Sequence, residues 1–224
     1  MSEEIEEGIV VKDTKFRARL IKNIKQDITH PFNNGIHMAA HHLISNKGVN
    51  LSKLGKVLIH KGYNINLLGN LVFLPSTLQG ACQLRVQLHR YNHTFSLPNQ
   101  KSYHYQVASS LRNLKSKIGL CSRSSRNTSN EIQNLLDSKS EEILERIAYF
   151  RVPLTPIFRN FKPSSKVGCS NKNEIKECSE ALERCNRKRN HTGEINFLNP
   201  NAKSNKVEKE ITYKKSYYKL KVGG

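Results

Sequence analysis

The sequence predicts an α+β fold in which a small core of two strands is surrounded by helices and followed by a mainly helical C-terminal region. Two apolar segments of strand length, 36–43 and 71–75, predict the strands. Between Ile28 and Asn130 there is no Asp or Glu, although this stretch holds eight of the nine histidines and twelve Lys and Arg residues. The composition changes where this stretch ends. We therefore divide the chain into an N-terminal arm (1–30), a core domain (31–125) and a C-terminal accessory region (126–224).

The first strand follows a basic arm. Residues 14–25 fit either an extended arm or a short helix, and the turn signal Asn33-Asn34-Gly35 separates them from the strand 36–43. That strand ends at the adjacent histidines His41 and His42. Successive side chains of a strand point to opposite faces, so one histidine can ligate a metal while its neighbour faces a water molecule.

A helix precedes the second strand. Asn50 or Ser52 can cap this helix, whose apolar residues recur with a period near 3.6 until Gly62 ends it. The run Leu71-Val72-Phe73-Leu74-Pro75 then has strand length and ends at a proline. Residues 76–82 are predicted to form a loop.

The segment 83–95 carries His89 and His93, a spacing of four that places both imidazoles on one face of a helix. An amphipathic helix over 102–118 should cover the strands. Helical periodicity returns after residue 130, and a charged helix is expected over 174–189. The closing stretch, 211–220, fits a strand pair or a basic aromatic arm.

The formal charge of +19 and the pI near 9.9 favour a polyanionic partner, and nucleic acid fits better than a membrane. The most apolar window, 67–75, is too short to span a bilayer. The acidic N-terminus does not resemble a signal peptide. We therefore expect a soluble protein that is cytoplasmic or is delivered into a target cell by a route independent of such a signal.

The five cysteines form no Cys-x-x-Cys pair, which favours reduced thiols over a disulfide framework or a zinc knuckle. Cys178 and Cys185 lie seven apart on a predicted helix and could pair or bind metal, although a buried thiol is the commoner fate.

Hydrolysis of a phosphodiester needs a cation to neutralise charge on the phosphate and a base to activate water. The adjacent histidines supply both kinds of group. A histidine base is usually held in one tautomer by a hydrogen bond from its other ring nitrogen. Asn70, at the start of the second strand, is placed to accept that bond.

The order of these motifs, His-His, then Gly-Asn-Leu-Val-Phe-Leu-Pro, then Leu-His-x-x-x-His, resembles the AHH nucleases of the HNH and treble-clef superfamily. That superfamily has a ββα-metal core and includes DNase colicins and bacterial toxin domains. The resemblance covers about residues 35–118. It implies that His41 ligates a metal with His89 and His93, that His42 is the general base, and that Asn70 orients it.

We therefore expect an HNH-type metal-dependent endonuclease that cleaves DNA with weak sequence selectivity, as in a bacterial toxin or effector with a cognate inhibitor or immunity protein. One divalent ion is expected: zinc or nickel by ligand softness, magnesium or manganese if the site is rich in water. The alternatives are an RNase of the same fold and a non-catalytic nucleic-acid-binding protein with a structural zinc.

Basic residues expected to contact phosphates are Lys47, Lys61, Arg85 and Arg90. Histidines outside the motifs are expected on the surface or on helix faces; they are His30, His37, His60 and His104.

Overall fold

A computed structural model describes residues 7–90, 92–122, 130–170, 172, 185, 188–194 and 210–224. This part of the chain contains two strands and seven α-helices. They are α1 (Phe16–Ile24), β1 (Met38–His42), α2 (Asn46–Ser52), α3 (Gly55–Lys61), β2 (Leu71–Pro75), α4 (Leu78–Leu84), α5 (Tyr103–Asn113), α6 (Lys115–Leu120) and α7 (Glu131–Ala148). Helices thus accompany one small sheet, which is an α+β arrangement.

The sheet is an antiparallel pair in which Met38 lies opposite Pro75 and His42 opposite Leu71. All of β2 is buried, which explains why its sequence is a continuous apolar run rather than an alternating one. The C-terminus follows the other edge of β2, since Gly223 N–H donates to Leu71 O at 2.7 Å and Phe73 N–H donates to Gly224 O at 3.1 Å. These bonds use backbone groups that a free edge would expose.

Two short helices occupy the place of the single helix predicted before β2. Lys53 adopts a left-handed conformation (φ 64°) and ends α2, and α3 runs on to Gly62. The cap of α2 is Ser45, whose hydroxyl accepts from Gly48 N–H, rather than Asn50 or Ser52. A Cβ atom at Gly48 would come within 2.5 Å of Val107 Cγ1, so this glycine permits the close packing of α2 on α5.

Helix α4 replaces the loop predicted over 76–82. Thr77 caps it by accepting from Gly80 N–H, and all seven of its residues are buried. The helix ends at Arg85, which is left-handed (φ 56°). Since α4 has no solvent-exposed face, its sequence lacks the amphipathic period by which helices are detected.

The C-terminal region contributes to the same core as the strands. Helix α7 packs beside residues 68–70, and Ile211, Tyr213 and Leu220 belong to the main hydrophobic cluster. The region was predicted to be mainly helical, yet the described residues after Ala148 form turns and extended segments without a helix. The closing stretch forms no strand pair. Most of the charged helix predicted over 174–189, Cys178 included, lies outside the described residues.

No helix among the described residues is both long enough and apolar enough to cross a membrane.

Candidate active site

Strand β1 ends in two histidines whose side chains lie in different environments. The ring of His41 contacts the rings of His89 and His93, whereas the ring centroid of His42 lies 4.6 Å from that of Phe16. His41 and His42 are both buried, at 5% and 8% exposure. The alternation of the strand therefore separates the two imidazoles, as the sequence predicts for adjacent strand residues.

Three imidazoles converge at a single point. His41 Nδ1 lies 2.9 Å from His89 Nε2, which lies 3.1 Å from His93 Nε2. Nitrogens bound to one tetrahedral zinc at about 2.05 Å would be about 3.3 Å apart. The observed separations differ from that value by a few tenths of an ångström, so these donors fit a small divalent cation.

The outer nitrogen of His41 is fixed by a tyrosine. Tyr103, the first residue of α5, is fully buried, and its hydroxyl donates to Leu43 O. The hydroxyl proton is thereby used, so the Tyr103 oxygen accepts from His41 Nε2–H at 3.0 Å. The lone pair of His41 must then reside on Nδ1, which is the nitrogen directed at the other two histidines.

A backbone carbonyl fixes His93 in the same way. His93 Nδ1–H donates to Leu154 O at 3.2 Å, which leaves the Nε2 lone pair for the cluster. The fully buried Gln87 positions this carbonyl, since Leu154 N–H donates to Gln87 Oε1 at 3.0 Å and the Gln87 amide donates to Ile147 O and Val152 O. Hydrogen bonds of this kind, behind the ligating nitrogens, orient histidines in metal sites.

His89 and His93 reach the cluster from a loop and not from one face of a helix. The prediction of a helix here is wrong: the described residues between Leu84 and Tyr103 form turns and extended chain. His89 N–H donates to Pro75 O at 2.8 Å, which anchors the loop to the end of β2, and His93 has a left-handed backbone (φ 53°).

Burial keeps the three imidazoles neutral. It lowers the pKa of His89 to about 3, assisted by the proximity of His93. It lowers the pKa of His93 to about 4, although the bond to Leu154 acts in the opposite direction. The pKa of His41 also falls well below its usual range, through burial first and then through its histidine neighbours. Neutral imidazole is the form that binds metals.

His42 is held by Asn66. Asp13 N–H donates to Asn66 Oδ1 at 3.1 Å and Asn66 Nδ2 donates to Val11 O at 2.9 Å, so the amide orientation is set by the N-terminal arm. Asn66 Oδ1 therefore accepts from His42 Nε2–H at 3.0 Å, and the basic lone pair of His42 is on Nδ1. Burial lowers the pKa of His42, and the bond to Asn66 raises it.

Asn70 occupies a different place from the one expected. Its side chain accepts from Ile44 N–H at 2.6 Å and donates to Ile44 O and Ile65 O at 3.0 and 2.8 Å. Ser140 of α7 also donates to it at 2.8 Å. These bonds hold the chain just after β1 in place. Asn66, four residues earlier, takes the position against His42 that the sequence assigned to Asn70.

The four basic residues expected at phosphates are dispersed. Lys61 donates to the carbonyls of Gly119 and Cys121 at the end of α6, and Arg85 lies at the end of α4, where its charge acts on Arg189. Arg90 donates to Ser76 O at 2.5 Å, directly after His89 in the chain.

Two exposed lysines act electrostatically in and beside the site. Burial is the main cause that lowers the pKa of His104, and the charge of Lys47 lowers it further; the ring centroid of His104 lies 6.1 Å from that of His93. Burial likewise lowers the pKa of His42 and of His89, and the charge of Lys12 adds to both effects. Lys12 was not predicted at the site because it lies in the N-terminal arm, far in sequence from the histidines. Its charge thus acts both on His42 and on the cluster that contains His89.

The histidines outside the motifs differ among themselves. His60 is exposed on α3, and His37 is partly buried. His104 lies on α5 but is buried, bonded to Ser45 Oγ at 2.9 Å and to Asn92 O at 2.8 Å. His30 is also buried and accepts from Phe32 N–H, so its expected surface position is wrong.

Comparison with known proteins identifies a family but no individual relative. Residues 25–138, just over half of the chain, match AHH, described as a nuclease family of the HNH/ENDO VII superfamily with a conserved AHH motif. Ala40-His41-His42 lies inside the matched range. No match was found among curated proteins or among solved structures. The chain belongs to the AHH nuclease family of the HNH/ENDO VII superfamily.

Proposed function

We propose that this nuclease is a metal-dependent endonuclease that hydrolyses phosphodiester bonds of DNA with weak sequence selectivity, from a site with a ββα-metal core. One observation carries the proposal. Three imidazole nitrogens face one another, and the ring protons of His41 and His93 are engaged on the far side of each ring. His42, which follows His41 in the chain, has its tautomer fixed by Asn66.

His41, His89 and His93 would hold one divalent ion, which when bound supplies positive charge to the phosphate and to the departing 3′ oxygen. Imidazole ligands favour zinc or nickel over magnesium or manganese. The cluster offers three protein ligands among the described residues, which is the number typical of catalytic zinc sites, whereas closed structural sites have four. This supports catalysis over the alternative of a binding protein with a structural zinc.

His42 would act as the general base. A water molecule hydrogen-bonded to Nδ1 would lose its proton to that atom as it attacks the phosphorus. The positive charge that develops on the imidazole strengthens its bond from Nε2–H to Asn66 Oδ1. Because burial lowers the pKa of His42, the ring is neutral and able to accept a proton at pH 7.

Phosphate binding would use the positive field of the site. Lys12, whose charge acts on His42 and His89, and Lys47, whose charge acts on the neighbouring His104, would contact phosphates of the substrate. Such contacts position a nucleic acid but carry no sequence information, which is why we expect weak selectivity. The net charge of +19 supports a polyanionic substrate. We further propose that the nuclease acts as a toxin or effector that is controlled by a cognate inhibitor protein.

The test offers supercoiled plasmid and a long RNA at matched salt, with EDTA and then with each divalent metal in turn. We expect plasmid nicking that stops with EDTA, returns with metal and is lost in His89→Ala. Faster cleavage of RNA than of plasmid would favour the RNase alternative. Binding of both polymers without cleavage under any metal would contradict the proposal and favour the binding protein. An inhibitor protein is tested by whether a neighbouring gene product abolishes nicking.

A further inference from the structure

A second group of metal-ligating side chains lies apart from the histidine cluster. Cys82 of α4, Cys169, Cys185 and His191 place their ligand atoms within 4.8 Å of one another. Cys82, Cys169 and His191 are completely buried, and the three cysteines of the group carry thiols and are not joined in disulfides. Three of these residues lie beyond the range that matches the nuclease family. The group contains no Cys-x-x-Cys pair, which is why the sequence favours reduced thiols over a zinc site here.

His191 is prepared to ligate. Its Nδ1–H donates to Glu194 Oε2 at 2.6 Å, so its Nε2 lone pair is directed to the sulfurs. Cys169 Sγ lies 3.2 Å and Cys185 Sγ 3.8 Å from that nitrogen. A sulfur and a nitrogen bound to one tetrahedral zinc, at about 2.3 and 2.05 Å, would be about 3.6 Å apart. A carboxylate behind a ligating histidine is a common arrangement in zinc sites.

The surrounding residues allow the four ligands to approach closely. A Cβ atom at Gly168 would lie 2.5 Å from Cys185 Cβ and 3.0 Å from Cys82 Sγ, so any larger residue would separate the cysteines. His191 N–H donates to Gln83 Oε1 at 2.5 Å, which ties the histidine to the residue after Cys82.

A buried arginine supplies compensating charge. Arg189, at 5% exposure, donates to the carbonyls of Asn160, Phe161 and Ser165, and its charge interacts with all three cysteines. Three thiolates, one neutral imidazole and Zn²⁺ together carry a charge of −1. The buried guanidinium of Arg189 offsets one unit of the negative charge in this region.

We propose that Cys82, Cys169, Cys185 and His191 bind one structural Zn²⁺ that fastens the C-terminal region to α4. The three thiols lose their protons to solvent on binding, and the four ligands complete a tetrahedral site with no position left for a substrate. The packing supports such a link, because the local hydrophobic cluster is small: among the described residues it consists of side chains from α4, Leu88 and residues 157–169.

The test uses the full chain with His89→Ala and His93→Ala combined, which removes the first metal site from the count. We expect about one zinc per chain after dialysis against a weak chelator. Cobalt in its place should give a thiolate-to-cobalt charge-transfer band in the near ultraviolet. Adding Cys169→Ser and Cys185→Ser should remove both signals. Cys121→Ser is the matched control and should change neither, because its sulfur donates to Lys117 O and it is not one of the four ligands.

The result that overturns the proposal is a cobalt spectrum without a thiolate band, or less than about one tenth of a zinc per chain, in the His89→Ala, His93→Ala protein. A disulfide between two of the three cysteines in protein purified under reducing conditions would also overturn it. If the cysteine variants do not fold, thiol titration of the folded parent decides. Three of the five thiols should react only after a strong chelator is added, and immediate reaction of all five contradicts the site. Metal content and spectra are read without substrate, so they do not depend on nuclease activity.

Discussion

Removal of the Tyr103 hydroxyl should weaken metal binding without altering any ligand. Tyr103→Phe leaves His41 Nε2–H without its 3.0 Å acceptor and Leu43 O without its donor, both in a fully buried place. Loss of a hydrogen bond behind a ligating histidine costs about 10- to 100-fold in metal affinity. At about 1.4 kcal/mol per tenfold, this is about 1.4–2.8 kcal/mol. The unpaired groups should also lower the free energy of unfolding by about 1–3 kcal/mol.

The affinity is measured by competition with a chromophoric chelator, and stability by urea unfolding of the metal-free protein. Tyr105→Phe is the matched control: it lies on the same helix, its side chain is 49% exposed, and its loss should leave both quantities unchanged. A metal dissociation constant of Tyr103→Phe within twofold of the parent would refute the inference that Tyr103 fixes the tautomer and orientation of His41.

Further predictions concern His42 and the residues behind the site. The pH–rate profile should have an acid limb below pH 6.5, because only neutral His42 accepts a proton and burial lowers its pKa; a limb above pH 6.5 would exclude this base. Asn66→Ala should reduce kcat by about 10- to 100-fold and move that limb to lower pH, because the bond to Asn66 raises the pKa. Asn70→Ala should instead lower the free energy of unfolding by about 2–4 kcal/mol without moving the limb, and equal shifts in both variants would contradict the distinction. Gln87→Leu should destabilise by a similar amount, about 2–4 kcal/mol in urea unfolding, and weaken metal binding through Leu154, unlike a substitution that only reduces packing.

The strands were predictable because their signals are local. Residues 71–75 are apolar, have strand length and end at a proline, and β2 has these bounds. The strand that ends at His41 and His42 was recognisable from its turn signal and its histidine pair. Helix α4 was missed for a physical reason: it has only seven residues and all of them are buried, so no exposed polar face marks it.

The partners of the histidines were not predictable because they come from distant segments. Asn70 directly precedes β2 and Asn66 lies five residues before it, so the sequence favours Asn70, whereas the packing of the arm at Val11 and Asp13 places Asn66 against His42. Tyr103 appears in the sequence as one apolar position of an amphipathic helix. The cysteines of the second group come together from positions far apart in the sequence, so no short Cys-to-Cys spacing indicates a metal site.

Substitution of His42 by alanine separates the role of the base from that of the metal held by His41, His89 and His93. Plasmid nicking and bound metal are measured on the same sample, with His60→Ala, an exposed histidine on α3, as the control. We predict that His42→Ala keeps its metal and nicks at least about 100-fold more slowly than the parent. Retention of both the metal and the nicking rate would show that His42 is not the general base.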